Sequence, residues 1–148
     1  MNSADHYSDS PFLQMLDTQL DEWRDGFARI KLQLQPFHLN RSGVVHGGVL
    51  AALLDHAGGM SGLHCNVPGN KRYGMTLSLT SNFIGQARAG FIIATGTRIS
   101  SGRKVFYANS EVRTDDGVVL ANGTAVYRYR SGSETPEGTR DLPWAKAD

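Results

Sequence analysis

The chain has 148 residues, a formal net charge of +1, one cysteine and 40% hydrophobic residues. That length suits one domain with its own core, needing neither disulfide nor metal to fold. The near-neutral balance carries no block of like charge, which argues against nucleic acid or an anionic membrane as partner, and the lone Cys65 excludes an intrachain disulfide.

The first six residues are polar and lack the apolar core of a secretory signal; with the free cysteine, this predicts a cytoplasmic protein. Residues 11–16 read as a short amphipathic helix. Residues 19–23 and 27–34 read as a hairpin turning at Asp25-Gly26. In its second arm Ala28, Ile30, Leu32 and Leu34 alternate with Arg29, Lys31 and Gln33, the period of a strand with one wet face. Pro36 ends that strand, and residues 37–45 form a polar, irregular loop.

A helix is expected from Gly47 to about His64, roughly 27 Å long at about 1.5 Å per residue. Small and apolar residues surround it on nearly every side, so it should be buried. Gly58, Gly59 and Gly62 are poor helix formers, and their expected use is close approach of another backbone, a sheet or a partner chain. Four alternating segments follow, at about 73–84, 90–100, 104–114 and 118–129. Short glycine-containing links make them antiparallel neighbours. Residues 131–148, rich in Ser, Gly, Thr, Pro and charge, read as a mobile tail on a single domain ordered over about 12–130. The predicted class is α+β, a curved antiparallel sheet wrapped around one apolar helix. Sheet edges left open by one helix would be covered by a second copy, so a homo-oligomer is expected.

Asp55 is the one formally charged residue between His46 and His64. A carboxylate among Leu50, Leu53, Leu54, Ala51 and Ala57 pays heavily for desolvation, and chains keep such groups most readily where they do chemistry. His46-Gly47-Gly48 opens the same helix, where backbone amides are bare. Metal binding by His46, Asp55, His56 and His64 is not expected, since no i,i+4 His pair is present. Ser101-x-x-Lys104 matches a serine-hydrolase pattern by its letters only, because it falls in a hairpin.

The order of elements and the string Asn40-x-x-Gly43-x-x-His46-Gly47-Gly48-x(6)-Asp55 resemble the hotdog-fold acyl-CoA thioesterases, in the branch that includes the phenylacetate-pathway enzymes. The resemblance covers about residues 34–129. Residues 76–84 look like the family's segment after the helix, and Ser100-Ser101-Gly102-Arg103 like its turn near the coenzyme A phosphates. The resemblance implies a thioester hydrolase whose substrate carries coenzyme A, with no further cofactor and no metal, working as a dimer at least and as a tetramer in the fuller expectation. Asp55 would be the base or nucleophile, and the Gly47 N–H the oxyanion donor. Asn40 would hold water or the thioester carbonyl, and Thr76, supplied by the partner subunit, would orient the water. His46, Gly48, Gly74, Met75, Asn82, Gly102 and Arg103 would contact substrate, Arg103 through a phosphate.

Each residue also has a structural use: a capping carboxylate for Asp55, a tight turn for Gly47, a turn Asn for Asn40, a plain strand residue for Thr76, a loop brace for His46, a solvated turn charge for Arg103. A non-hydrolytic acyl-CoA binding protein on the same scaffold is the competing reading.

Overall fold

A computed structural model describes residues 10–141. Helix α1 (Pro11–Leu16) leads into strands β1 (Thr18–Arg24) and β2 (Phe27–Gln33), a 3-10 turn (Pro36–His38), helix α2 (Gly47–Gly62), and strands β3 (Gly74–Phe83), β4 (Phe91–Ser101), β5 (Val105–Thr114) and β6 (Val119–Tyr129). The strands form one six-stranded sheet in the order β1-β2-β4-β5-β6-β3, every neighbour pair antiparallel. Alternation was a reliable guide to the strands: Ala28, Ile30 and Leu32 of β2 are buried, as are Ile92 and Ala94 of β4. Together with Leu50, Leu53, Leu54 and Ala57 of α2 they make the main core.

Two expectations about neighbours need correction. β3 does not pair with β4, despite the short link between them; it pairs with β6 at the far edge of the sheet, and β4 pairs with β2. The connection passes the end of the sheet, leaving β3 as an edge strand. The glycines of α2 also serve differently from the prediction. A Cβ on Gly62 would lie 2.2 Å from the Phe106 ring, and one on Gly58 would lie 2.4 Å from the Tyr127 hydroxyl. Aromatic side chains of β5 and β6, not a backbone, occupy that space. The glycine that admits a backbone is Gly96 of β4, whose Cβ would stand 2.0 Å from the Ala57 carbonyl oxygen.

Residues 131–141 are not a loose tail. Arg72 is buried, lies 4.1 Å from the centre of the Tyr129 ring, and donates to the carbonyls of Gly62, Ser133 and Glu134. Lys71 and Thr139 exchange backbone bonds at 2.8 Å. Composition alone misses this because the segment is held by one distant guanidinium and by backbone groups. The remainder of the predicted tail, residues 142–148, and the polar N-terminus, 1–9, lie outside the described residues. No described helix is long and apolar enough to cross a membrane.

Candidate active site

The loop before α2 is built so that one amide is left over. His38 is fully buried; its Nδ1 accepts from the Gln35 N–H at 2.9 Å and its Nε2 bonds the Leu16 carbonyl at 2.8 Å, anchoring the loop to α1. The His38 carbonyl in turn accepts from the His46 N–H at 2.8 Å. His46 then caps the helix: its Nδ1 accepts from the Gly48 N–H at 2.7 Å, while the Val49 and Leu50 N–H groups go to its carbonyl. Among the described residues only the Gly47 N–H of this first turn has no partner, and it points where the helix dipole favours negative charge. Gly48, expected to contact substrate, has its N–H taken by His46. Its own role is steric, since a Cβ there would lie 2.9 Å from His46 Nδ1. His46 thus braces the loop through Nδ1 while its ring stays exposed at the cleft.

Asn40 lies in that loop, beside an open cleft of about 480 Å³ lined by Leu39, Asn40, Arg41, Ser42 and His46. Its Oδ1 accepts from the N–H groups of Ser42 (2.9 Å) and Val44 (3.3 Å), an Asx turn. Those bonds occupy the oxygen and leave the Nδ2 hydrogens for another acceptor. Turn residue and candidate donor are therefore the same side chain.

Asp55 sits two turns further along α2 and is half-buried rather than sunk in the core. Thr76 Oγ1 donates to its Oδ1 at 2.7 Å. That bond lies within one chain, so Thr76 and Asp55 travel together: β3 starts beside the C-terminal half of the helix it follows. The Tyr127 phenol is the other described group that meets the Asp55 carboxylate. The backbone carbonyl of Asp55 accepts from the Tyr127 hydroxyl at 2.8 Å. His56, next in sequence, is pushed down to about 4 by burial and so is neutral at ordinary pH.

A bulge in β3 decides which of its residues share the Asp55 side. The β3–β6 register slips between Thr76 and Ser78. Without the slip, Thr76 and Asn82 would face the same way; with it, the phase inverts and Leu79, Ser81 and Phe83 turn toward α2. Asn82 therefore lies on the outer face, where its Nδ2 donates to Asn122 Oδ1 at 3.1 Å. It is not part of this site. Phe83 takes the inner position instead: a Cβ on Gly47 would come 3.7 Å from its ring, so an exposed aromatic edge flanks the free amide. As an apolar residue Phe83, like Leu54, Met60 and Met75, suits either a pocket or a core in the sequence; the structure leaves it exposed.

Gly74 and Met75 begin β3, at the Asp55 end of the sheet. Gly74 is packed against Leu63 and the Arg128 carbonyl. Met75 lines a cleft of about 250 Å³ with Arg128, Tyr129, Arg130 and Ser131. The Gly102–Arg103 turn closes the β4–β5 hairpin at this same end, where the Lys104 backbone carbonyl accepts from the Tyr129 N–H at 2.9 Å. Glu134 lies nearby: its carboxyl is held below the usual range by backbone N–H groups of its own segment first, and then by the charges of Arg103 and Lys104. The structure thus gathers a basic rim beside Met75 and separates it from the Gly47 end.

The family model described as Thioesterase superfamily matches residues 42–121. The medium/long-chain acyl-CoA thioesterase YigI of Salmonella typhimurium is 26% identical over 131 residues, covering 79% of this chain and 84% of that protein. YigI of Escherichia coli is 25% identical over the same shares. Among solved structures, thioesterase HI1161 of Haemophilus influenzae has a TM-score of 0.76 at 21% identity, covering 87% of this chain and 88% of that one. The conserved protein PA5202 of Pseudomonas aeruginosa matches equally well, with a TM-score of 0.76 at 22% identity over 87% of this chain and all (100%) of that one. The structural likenesses establish the hotdog fold, and the family model, spanning more than half of the chain from the loop before α2 into β6, carries the rest: this chain belongs to the thioesterase superfamily.

Proposed function

We propose that the protein hydrolyses acyl-CoA thioesters, with Asp55 as the acting group. The observation that carries this reading is the 2.7 Å bond from Thr76 to Asp55 Oδ1, which fixes the carboxylate on a half-buried stretch of α2. The carboxylate takes a proton from an incoming water or attacks the carbonyl carbon itself. Either route breaks the C–S bond and ends in a free carboxylic acid and the coenzyme A thiol. The partnerless Gly47 N–H suits the oxygen that becomes negative on the way. Asn40 Nδ2 suits the carbonyl or the water, and Arg103 with the arginines beside Met75 suits the phosphates of the nucleotide. Exposed Met75, Leu77 and Phe83 along β3 give an acyl chain apolar contact. No step calls for a metal or a redox cofactor.

The site so described needs two copies of the chain. Gly47 and Asp55 are eight residues apart on α2, about 12 Å along the axis at about 1.5 Å per residue. A single carbonyl group needs both within about 3–3.5 Å. β3 offers the solution, since it is an edge strand of 10 residues beside α2. It runs opposite to α2, with Thr76 near Asp55 and Phe83 near Gly47. A second β3 paired antiparallel across a two-fold axis sets one copy's Gly47 end beside the other's Asp55 end. Each site then takes Asp55 and Thr76 from one chain and Asn40 and Gly47 from the other. A dimer is the smallest such assembly, and the outer sheet face leaves room for a tetramer.

The test is a thiol-release assay over aryl, short and long acyl-CoAs. Asp55→Asn is expected to lower kcat by at least about 10²-fold, the scale of losing a positioned general base. Near-parent turnover by Asp55→Asn refutes the assignment, and binding without thiol release by the parent chain favours an acyl-CoA binding protein.

A further inference from the structure

Tyr127 is a buried titratable side chain in contact with Asp55 that the proposed reaction does not use. Its ring stacks on Phe106, with centroids 4.9 Å apart and planes 17° from parallel. Its hydroxyl reaches the backbone of α2 because Gly58 and Gly59 leave room: a Cβ on Gly58 would lie 2.4 Å from that oxygen, and one on Gly59 would lie 3.3 Å from the ring. There the hydroxyl donates to the Asp55 carbonyl at 2.8 Å, beside the Gly59 N–H and the Asp55 carboxylate. Asp55 C=O and Gly59 N–H are the two groups that an α-helix joins in its own i to i+4 ladder. A side chain bonding that shared carbonyl sets its tilt, and with it the turn that carries the Asp55 side chain.

The sheet register adds a second hold. Thr76 of β3 stands opposite Tyr127 of β6. One cross-strand pair therefore grips Asp55 twice, by the carboxylate through Thr76 and by the carbonyl through Tyr127. The phenol stays a neutral donor, because burial first, and then the nearby Asp55 charge, push it well above the usual tyrosine range.

We propose that Tyr127 is a positioning residue for Asp55: its hydroxyl, admitted by Gly58 and Gly59, fixes the turn of α2 that aims the carboxylate. The inference rests on Asp55 being the acting group. The test uses the full-length chain and its preferred acyl-CoA. Tyr127→Phe removes one oxygen and keeps the ring on Phe106. It is expected to lower kcat about tenfold, since misplacement by about 1 Å costs up to about 10². KM should move by less than about twofold, because substrate contacts are untouched. Hydrogen exchange at the Gly59 amide should quicken in the same variant. Gly58→Ala should displace the phenol and give the same kcat loss, and the double variant should be no slower than the slower single one. A merely structural role predicts a lower melting temperature with kcat per folded molecule intact, which would overturn the proposal. Tyr127→Phe at parent kcat while Asp55→Asn is inactive sinks this proposal alone; Asp55→Asn at parent kcat removes both readings. Should Gly58→Ala fail to fold, Tyr127→Phe kinetics with Gly59 exchange still decide.

Discussion

His56 follows Asp55 on α2, and its Nε2 is sealed from solvent. Burial holds the imidazole near 4, against 6.5 for a free histidine. The sign of the pH effect follows. The unfolded chain takes up a proton as pH falls through 6.5, while the folded chain takes it up only near 4, so stability is lost on acidification across that window. Between neutral pH and about pH 5 the loss should be about 2 kcal/mol, the slope rising toward about 1.4 kcal/mol per pH unit below 6.5. Asp21, Glu134 and Glu137, all held low, keep their ion pairs and backbone bonds over that interval and give way only below it. Urea unfolding at neutral pH and near pH 5 should show the slope in the parent and a much flatter one in His56→Gln; equal slopes refute the assignment. Residue type and spacing made Asp55 and Gly47 legible in the sequence. The outward turn of Asn82 was not legible, because a bulge one residue long decides it and leaves no mark in composition.

Helix α2 is held between two different kinds of contact, and the elements explain its unusual glycine content. On the β5 and β6 side, Phe106 and Tyr127 press into Gly58, Gly59 and Gly62. On the β4 side, Gly96 brings a strand backbone against Ala57 and Gly58. Gly96→Ala would place a methyl group 2.0 Å from the Ala57 carbonyl oxygen, and both partners are backbone, so no rotamer change relieves the clash. The expected destabilisation is about 3 kcal/mol, the upper part of the overpacking range. A denaturation midpoint reads it directly, and a loss under about 0.5 kcal/mol, typical of a neutral surface change, would show that α2 is not seated as described. Strand positions were readable because one-sided burial imposes a period of two. The pairing of β3 with β6 was not, since link length constrains neighbours only when the chain turns straight back. The order of residues 131–141 escaped for a related reason: its anchor, Arg72, is 61 residues from Ser133.

At the scale of the whole molecule, the distance between Gly47 and Asp55 predicts how inactive variants combine. In the proposed dimer each site takes its carboxylate from one chain and its Asn40 and Gly47 from the other. Asp55→Asn and Asn40→Ala should each be nearly inactive alone. In a dimer of one chain of each kind, one site carries both substitutions and the other carries neither. Unfolding and refolding an equimolar mixture makes half of all dimers mixed if assembly is random, and half of their sites are then intact. Activity should recover to about a quarter of the parent value. If each chain held a complete site, every site in the mixture would carry one lesion and nothing would return. A closed dimer also accounts for the edge that a lone chain exposes: 10 residues of β3 backbone with Met75, Leu77 and Phe83 open to solvent, an arrangement that invites pairing. Charged substitution at Leu77, which leaves both Asp55 and Gly47 in place, should therefore lower the recovered activity and the assembled mass together.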